Sequence, residues 1–223
     1  FYFEKNGIAV FKKIFSYKII NQALKEINKV EIKKTHDKHI VYDLNSKIKY
    51  IKDIDSYYPY FKKFLNSKIL KEASYLLGED CYFVNMGLHS KTGPESTFTP
   101  PHQDNFYWSR KPANALTAYI AITEQKIKNG AICYLLGSHK KGVLKHRKSS
   151  VRGFSSYIDS PNLNKKKFYS PELKSGDVVF HHCNVVHKAN PNQYSGLKNS
   201  RKSLAIVIYG VSTIEDKKLR NRY

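Results

Sequence analysis

The sequence predicts an α+β domain that is mainly β, with a β-sandwich or jelly-roll barrel as its core. Two observations support this fold class. Helix-like segments lie before Cys81, and the rest of the chain is a series of short apolar segments of strand type. Gly, Pro, Asn and Ser separate these segments, as in antiparallel sheets joined by turns. A chain of 223 residues is expected to form one domain with one core.

The first part of the domain, residues 1–80, is expected to contain a strand and helices. Residues 7–15 have the composition of a strand, and residues 17–29 carry apolar side chains at helical spacing. A further helix is predicted over Ser67–Leu77, because Gly78 follows it where a left-handed cap would end it.

Residues 81–212 are expected to form the β core. Its predicted strands cover residues 81–91, 115–123, 131–136, 177–182 and 203–210, and Phe106 is assigned to a further strand. No internal repeat is recognised.

One long connection, at about residues 140–173, interrupts the predicted strands. A connection longer than about 15 residues in a compact domain is usually functional or disordered, so we expect a lid. Its basic residues, Arg147, Arg152 and the lysines at 165–167, could face an anionic substrate. A solvated loop is the alternative interpretation.

His102 and Asp104 are candidates for a metal-chelating pair. Residues two apart on an extended strand project from the same face, so both would point to one side and Gln103 to the other. Imidazole nitrogen and carboxylate oxygen suit iron(II), and a second, distant histidine would complete a 2-His-1-carboxylate facial triad. An isolated HxD occurs by chance in many proteins, so the distant histidine is needed.

That histidine is sought in SGDVVFHHCNVVHKANPN, residues 175–192. His187, just after a strand that is predicted to be buried, is the candidate, and His181 and His182 compete with it. Alternation along the strand sends one of the latter two inward, although a histidine in mid-strand is more often a hydrogen-bonded core residue. The residues alone leave this choice open.

Arg201 begins the apolar strand RKSLAIVIYG. A planar guanidinium can bind a carboxylate through two parallel hydrogen bonds, so Arg201 could hold the far end of a dicarboxylate cosubstrate. Ser203 shares its strand face and could add a hydroxyl donor. A surface ion pair is the alternative interpretation of Arg201.

Four segments followed by Arg201 resemble the phytanoyl-CoA dioxygenase family of Fe(II)- and 2-oxoglutarate-dependent oxygenases. They are HSKTGPESTFTPPHQDNFYW, NALTAYIAI, KNGAICYLLGSH and SGDVVFHHCNVVHKANPN. Their order is more specific than any one of them. The resemblance implies a double-stranded β-helix, a cupin-like jelly-roll barrel with flanking N-terminal helices, which holds Fe(II) at its mouth with 2-oxoglutarate beside it.

The resemblance also implies roles for individual residues. His102, Asp104 and His187 are similar to the iron ligands, and Arg201 to the residue that pairs with the distal carboxylate of 2-oxoglutarate. The remaining cosubstrate-binding candidates are Tyr119, Thr117 and Ser203.

Candidate substrate contacts lie on both sides of the HxD motif. Asn85, Gly87, His89 and Lys91 share one strand face, which is expected to line the pocket or to be an ordinary polar face. From this face we select His89 and Lys91, and from the segment after HxD we select Asn105 and Trp108. Aromatic residues at the latter spacing are more often core residues.

The implied activity is hydroxylation of an aliphatic carbon of a small molecule by dioxygen, with release of succinate and CO2. Related halogenases have a small residue at the carboxylate position, so Asp104 favours hydroxylation. No catalytic side chain is expected beyond the metal centre. The family resemblance does not fix the substrate, although the basic connection suggests an anionic one.

Two other functions are considered. The first is a metal-binding cupin-like barrel without oxygenase activity, such as an isomerase or a sensor that lacks a dicarboxylate cosubstrate. The second is a polyanion- or nucleic-acid-binding protein, suggested by the net charge of +21 and the interleaved aromatic residues. No zinc-finger, RRM or helix-turn-helix signature accompanies that charge, which compositional bias towards lysine also explains.

The cellular context is predicted from the cysteines and from hydropathy. Cys81, Cys133 and Cys183 show no CxxC or other ligand spacing, which indicates reduced thiols in a cytoplasmic protein. No apolar run approaches the ~20 residues needed to cross a bilayer, and no signal peptide is recognised. A small molecule is therefore the expected partner rather than a membrane, and the oligomeric state is not predicted.

Overall fold

The protein is described by a computed structural model over residues 2–33, 37–43, 45–151 and 154–221. The α-helices are α1 (Tyr2–Asn6), α2 (Tyr17–Lys33), α3 (Ile54–Tyr57), α4 (Ser67–Leu77), α5 (Asp104–Trp108), α6 (Pro161–Asn164) and α7 (Lys217–Arg220). Short 3-10 turns cover Pro59–Phe64, Ile127–Asn129, Ser138–Lys141 and Leu197–Asn199. Within these ranges, no helix is both long and apolar enough to cross a membrane.

Most of the strands lie in the second part of the chain. They are β1 (Ile8–Phe11), β2 (Ile40–Tyr42), β3 (Ile48–Ile51), β4 (Cys81–Lys91), β5 (Thr99–His102), β6 (Arg110–Lys111), β7 (Ala115–Ala121), β8 (Ile132–Leu135), β9 (Arg147–Lys148), β10 (Ser156–Tyr157), β11 (Val178–His182), β12 (Val186–Ala189), β13 (Arg201–Gly210) and β14 (Ile214–Glu215).

Two antiparallel sheets form the barrel. The major sheet has the strand order β1-β11-β7-β13-β4-β3-β2, and the minor sheet has the order β5-β12-β8. Neighbouring strands such as β7 and β13 are far apart in sequence, as expected when strands of a jelly roll cross between positions. The predicted mainly β jelly-roll fold with N-terminal helices is therefore confirmed.

Alternation along the central strands divides the barrel into two environments. On β13, Leu204, Ile206 and Ile208 are buried in the main apolar core, which also contains side chains of α2 and α4. The alternate residues Ala205 and Val207 line an internal cavity. The same division holds on β4, β7 and β11, because successive side chains of a strand point to opposite faces.

Several predicted elements agree with the structure, and one does not. The helix Ser67–Leu77 has the predicted bounds, and Gly78 ends it in the left-handed region with φ of 72°. The predicted strand at residues 7–15 is shorter, Ile8–Phe11. Phe106 was wrongly assigned to a strand, because the chain turns into helix α5 directly after Gln103.

The connection at residues 140–173 contains β9, β10 and α6. β9 and β10 pair with each other and form a separate two-stranded sheet. Phe154 of this connection lies over His102, with their ring centroids 5.0 Å apart. The connection thus covers one side of the candidate site, and its action as a lid stays a prediction.

We expect Ile206→Ala to lower the free energy of unfolding by about 2–5 kcal/mol, because the fully buried side chain leaves a cavity between β13 and the helices. Chemical denaturation monitored by circular dichroism measures the change. Ile214→Ala is the matched control, since Ile214 is 69% exposed and its loss should change stability by no more than about 0.5 kcal/mol. Equal effects of both substitutions would contradict this assignment of the core.

Candidate metal centre

Three predicted ligand residues converge at one end of the barrel. His102 is the last residue of β5, Asp104 is the first residue of α5, and His187 lies in β12 directly opposite His102 in the antiparallel register. One ligand atom from each residue lies within 4.8 Å of the others. The prediction that His102 and Asp104 share one strand is wrong. Strand β5 ends at His102, and helix α5 begins at Asp104.

Hydrogen bonds to the backbone orient both histidines. Nδ1 of His102 lies 2.8 Å from the carbonyl oxygen of Pro100, and Nδ1 of His187 lies 3.0 Å from that of Val185. A carbonyl only accepts, so each Nδ1 carries the hydrogen and each Nε2 keeps its lone pair. These Nε2 atoms lie 3.8 Å and 3.6 Å from Oδ1 of Asp104, respectively.

The electrostatics of the site suit metal binding. Burial lowers the pKa of both His102 and His187, which keeps the imidazoles neutral. Burial opposes the charge on Asp104, but the neighbouring His187 and the hydrogen bond from His181 hold the pKa of this carboxyl well below its usual range. Two neutral imidazoles and one ionised carboxylate are therefore ready to bind a divalent cation without losing protons.

Thr117 and His181 contact the second oxygen of Asp104. The Thr117 hydroxyl donates to Oδ2 at 2.8 Å, and Nε2 of His181 lies 3.1 Å from the same atom. The predicted contact of Thr117 with the cosubstrate stays a prediction, and the structure shows that its hydroxyl donates to the carboxylate. His181 is a hydrogen-bonded core residue, as its mid-strand position suggested, and its link to Asp104 was missed.

His182 points away from the site. Its ring lies beside those of His139 and Phe3, with centroid distances of 5.1 Å and 6.2 Å. Of the three histidines that competed for the distal position, only His187 belongs to the group of possible ligand atoms in the described part of the chain.

Gln103 anchors the segment between the two ligands. Its Nε2 donates to the carbonyl oxygens of Gly142 at 2.8 Å and Asn184 at 2.6 Å, and its Oε1 accepts from the backbone N–H of Leu144 at 2.8 Å. The sequence predicted only that Gln103 points away from His102, which is correct. Its partners lie in distant loops and left no signal in the motif.

A cavity of about 360 Å³ opens beside the three ligands. Of the other predicted site residues, six line it: His89, Lys91, Trp108, Thr117, Tyr119 and Arg201. Ser203 lies behind this wall, where its hydroxyl contacts Arg201 and Tyr119. Asn105 does not line the cavity, because both polar atoms of its side chain are bonded to the backbone of Arg110.

Arg201 is buried and fixed at the wall of this cavity. Its Nε donates to the carbonyl oxygen of Gly130 at 3.1 Å, and its Nη1 donates to the hydroxyls of Ser203, at 3.0 Å, and Tyr119. None of the described residues accepts a hydrogen bond from Nη2. The alternative interpretation as a surface ion pair is wrong, since Arg201 is 3% exposed and pairs with no carboxylate among the described residues.

Lys91 lies directly opposite Arg201 in the β4–β13 register. It is also buried, and its Nζ donates to the carbonyl oxygen of Thr97. Burial, together with the charges of Arg201 and Lys49, lowers the pKa of Lys91 to about 6. Within the described ranges no Asp or Glu forms an ion pair with either Lys91 or Arg201.

His89 stays uncharged near this pair. Burial, reinforced by Arg201, lowers the pKa of His89 to about 3. Its ring packs against that of Tyr50 at a centroid distance of 4.7 Å. Gly87 is needed beside Tyr50, because a Cβ there would lie 2.5 Å from the tyrosine ring.

Four further cavity residues were not predicted from the sequence. They are Lys49 and Tyr50 of β3, Phe154 of the long connection, and Lys188 of β12. The lysines at 165–167 are exposed and do not line the cavity, and Arg147 pairs with Asp159 at 3.0 Å. Arg152 lies outside the described residues.

The sequence profile of the phytanoyl-CoA dioxygenase (PhyH) family matches residues 3–201. The chain belongs to this family. The motif order from HxD to Arg201 therefore carried the correct family assignment.

Curated relatives of this phytanoyl-CoA dioxygenase family chain are similar to it over part of its length. It is 29% identical over 92 residues to a phytanoyl-CoA dioxygenase of Arabidopsis thaliana, covering 41% of this chain and 32% of the relative. It is 30% identical over 131 residues to a probable alpha-ketoglutarate-dependent hypophosphite dioxygenase of Stutzerimonas stutzeri. This match covers 57% of this chain and 46% of the relative. The matches thus span about a third to a half of these relatives.

Solved structures share the fold. EctD from S. alaskensis in its apoform has a TM-score of 0.79 at 22% identity, covering 98% of this chain and 78% of that chain. The epimerase SnoN in complex with Fe3+, alpha ketoglutarate and nogalamycin RO has a TM-score of 0.77 at 19% identity. This match covers 96% of this chain and 83% of the SnoN chain. At these identities the likeness establishes the jelly-roll fold of the phytanoyl-CoA dioxygenase family chain.

We expect Asp104→Ala to weaken Co(II) binding at least about 100-fold, because it removes the one anionic ligand, whereas losing an outer partner typically costs 10–100-fold. Isothermal titration calorimetry on the metal-free protein measures the affinity. Asp159→Ala is the matched control, since Asp159 does not line the cavity and pairs with exposed Arg147. Unchanged Co(II) affinity in Asp104→Ala would remove this residue from the metal centre.

Proposed function

We propose that this chain is an Fe(II)- and 2-oxoglutarate-dependent dioxygenase, which hydroxylates an aliphatic carbon of a small molecule and releases succinate and CO2. One observation carries the proposal. A single cavity joins a His-Asp-His ligand group to the buried guanidinium of Arg201 and the buried amine of Lys91, neither of which forms an ion pair among the described residues. Membership of the phytanoyl-CoA dioxygenase family supports it.

The ligand group fits Fe(II). Two neutral imidazole nitrogens and one carboxylate oxygen are the ligands of the facial triad used by non-haem iron oxygenases, and the triad leaves further positions open. His102 and His187 present Nε2, and Asp104 presents Oδ1. When bound, iron and 2-oxoglutarate together supply the activation of dioxygen. The protein orients the reactants and limits the access of water.

The cationic part of the cavity fits the far carboxylate of 2-oxoglutarate. The guanidinium of Arg201 is held through Nε and Nη1, so Nη2 is the nitrogen that remains to donate to a ligand. Hydrogen bonds from a buried guanidinium to a carboxylate are charge-assisted and strong. A carboxylate there would also compensate the buried charge of Arg201, which is costly when it has no counter-ion.

The cavity walls beside the His-Asp-His group are suited to binding a substrate. Trp108, Tyr107 and Phe154 provide aromatic surface, while Lys49 and Lys188 add positive charge. We propose a small, anionic substrate whose carbon skeleton packs on the aromatic wall. The charge that favours such a substrate comes from these lining lysines and not from the exposed basic residues of the long connection.

A metal-binding barrel that uses no cosubstrate is the second candidate. It would explain the His-Asp-His group equally well. It does not explain why Arg201 is buried on the cavity wall, because burying a cation without a partner costs free energy. Arg201 therefore favours the oxygenase over an isomerase or sensor.

An anaerobic visible spectrum tests the proposal. Adding Fe(II) and then 2-oxoglutarate to the apoprotein should produce a charge-transfer band that requires both additions. The band should be lost in His102→Ala, and Arg201→Ala should need at least about tenfold more 2-oxoglutarate, since a hydrogen bond to a charged group contributes about 1.5–3 kcal/mol. Absorption titrations under argon measure both effects.

Two variants provide matched controls for that experiment. His139→Ala and Arg147→Ala remove a histidine and an arginine that do not line the cavity, so both should behave as wild type. Iron binding without the band would favour the barrel that lacks a cosubstrate. No iron binding by folded protein would exclude both candidates and lead to a test of salt-dependent polyanion binding. With a substrate in hand, absence of label from 18O2 in the product would exclude hydroxylation.

We expect 2-oxoglutarate to bind more weakly as the pH rises above about 6. Lys91, with its pKa of about 6, is largely neutral in the free protein at pH 8, and a nearby carboxylate favours its protonated form. Binding then takes up a proton, so affinity should fall by up to about tenfold per pH unit above 6 and level off below it. Calorimetry from pH 6 to 8, in two buffers that differ in ionisation enthalpy, measures both quantities.

Lys91→Gln should abolish this pH dependence, whereas Lys126→Gln, at an exposed lysine, should retain it. Proton uptake that persists in Lys91→Gln would assign the effect to another group.

A further inference from the structure

We propose that His181 is a positioning residue for the metal centre, and that it holds the outer oxygen of Asp104 so that the carboxylate presents one oxygen to the metal. The inference rests on the proposed function, since it assumes that a metal binds His102, Asp104 and His187. It adds a role for a third buried histidine, which the ligand motif does not contain.

The two oxygens of Asp104 lie in different environments. Oδ1 faces the Nε2 atoms of His187 and His102, at 3.6 Å and 3.8 Å. Oδ2 points the other way and contacts Thr117 Oγ1 at 2.8 Å and His181 Nε2 at 3.1 Å. The carboxylate is thus held by its outer oxygen, and only Oδ1 faces the histidine nitrogens that carry free lone pairs.

The partners of each Nδ1 distinguish the positioning histidine from the two ligands. In His102 and His187, Nδ1 faces a backbone carbonyl and must carry the hydrogen, which leaves the Nε2 lone pair free. In His181, Nδ1 lies 3.2 Å from the Tyr134 hydroxyl, which can donate. Its Nε2 faces an ionised carboxylate, which only accepts, so Nε2 carries the hydrogen and acts as a donor instead of a ligand.

The supporting residues lie on strands inside the barrel. His181 and Thr117 lie directly opposite each other on β11 and β7, in the interior of the major sheet. Tyr134 belongs to β8 of the minor sheet and is fully buried. The chain from Tyr134 through His181 to Asp104 therefore links both sheets to the carboxylate. Outer hydrogen bonds of this kind orient a ligand and increase metal affinity.

Two polar variants of His181 separate positioning from packing. In His181→Gln the amide nitrogen replaces Nε2 and can still donate to Asp104. In His181→Asn the amide lies near the original Nδ1 and cannot reach the carboxylate. We expect Asn to weaken Co(II) binding about 10–100-fold, and Gln to stay within about threefold of wild type.

Co(II) affinity by calorimetry and the visible spectrum of the Co(II) protein are the measurements, with thermal unfolding recorded for each variant. His181→Asn should also lower the intensity of the Co(II) bands, because a free carboxylate can bind through both oxygens and raise the coordination number. Tyr134→Phe, which keeps the ring, should weaken binding severalfold by removing the donor to Nδ1.

Each outcome decides the inference. Loss in Asn with recovery in Gln supports positioning, since a packing defect would affect both variants alike. Equal losses in both, or wild-type affinity and spectrum in Asn, would overturn it while leaving the metal site intact. Wild-type protein that binds no Co(II) would overturn the proposed function and this inference together. Should Asn fail to fold, unchanged affinity in Tyr134→Phe would overturn the inference, and weakened affinity with an unchanged melting temperature would support it.

Discussion

The strict alternation of side chains along the central strands β4, β7, β11 and β13 is the constraint on which the rest of the structure depends. One face of this sheet is apolar and buries itself against the helices, and the other carries the polar groups of the cavity. A slip of one residue in register would exchange these faces completely. Burial of the apolar face therefore determines that the polar side chains of the other face point into the cavity, without the need for a bound ligand. These side chains include Lys91, Thr117, His181 and Arg201.

Burying so many polar groups in one barrel is expensive, and the structure offsets the cost locally. Gln103 satisfies three backbone groups, Asp104 receives hydrogen bonds from two strands, and the ligand histidines donate to carbonyls of their own segments. Each such bond adds only modestly to stability, but leaving one of these buried polar groups without a partner would destabilise the fold. Arg201 differs, because its charge is not paired with a carboxylate among the described residues. A site that is satisfied at the metal end and unsatisfied at the cationic end is suited to a ligand that joins the two.

Sequence reasoning located the strands and the three residues of the His-Asp-His group, because the strands follow from local composition and the group from ordered motifs. Short apolar segments of strand type marked β4, β7, β11 and β13, and the ordered motifs selected His187 over His181 and His182. It failed at Asp104, which was placed on a strand with His102, because nothing in HQDNFYW shows that the chain turns helical after Gln103. It also misjudged Asn105, whose amide closes the turn at Arg110 instead of facing the cavity.

By itself, the sequence determined the fold class, the family and the residue types that can bind a metal and a carboxylate, since these follow from periodicity, composition and motif order. Only the tertiary structure decided which histidine donates and which keeps its lone pair, because that depends on whether a carbonyl or a hydroxyl faces Nδ1. It also decided that Lys49, Tyr50 and Phe154 share a cavity with the metal site. Their contacts span antiparallel neighbours and a long connection, and the register that brings such distant segments together is set by the packing of the whole barrel.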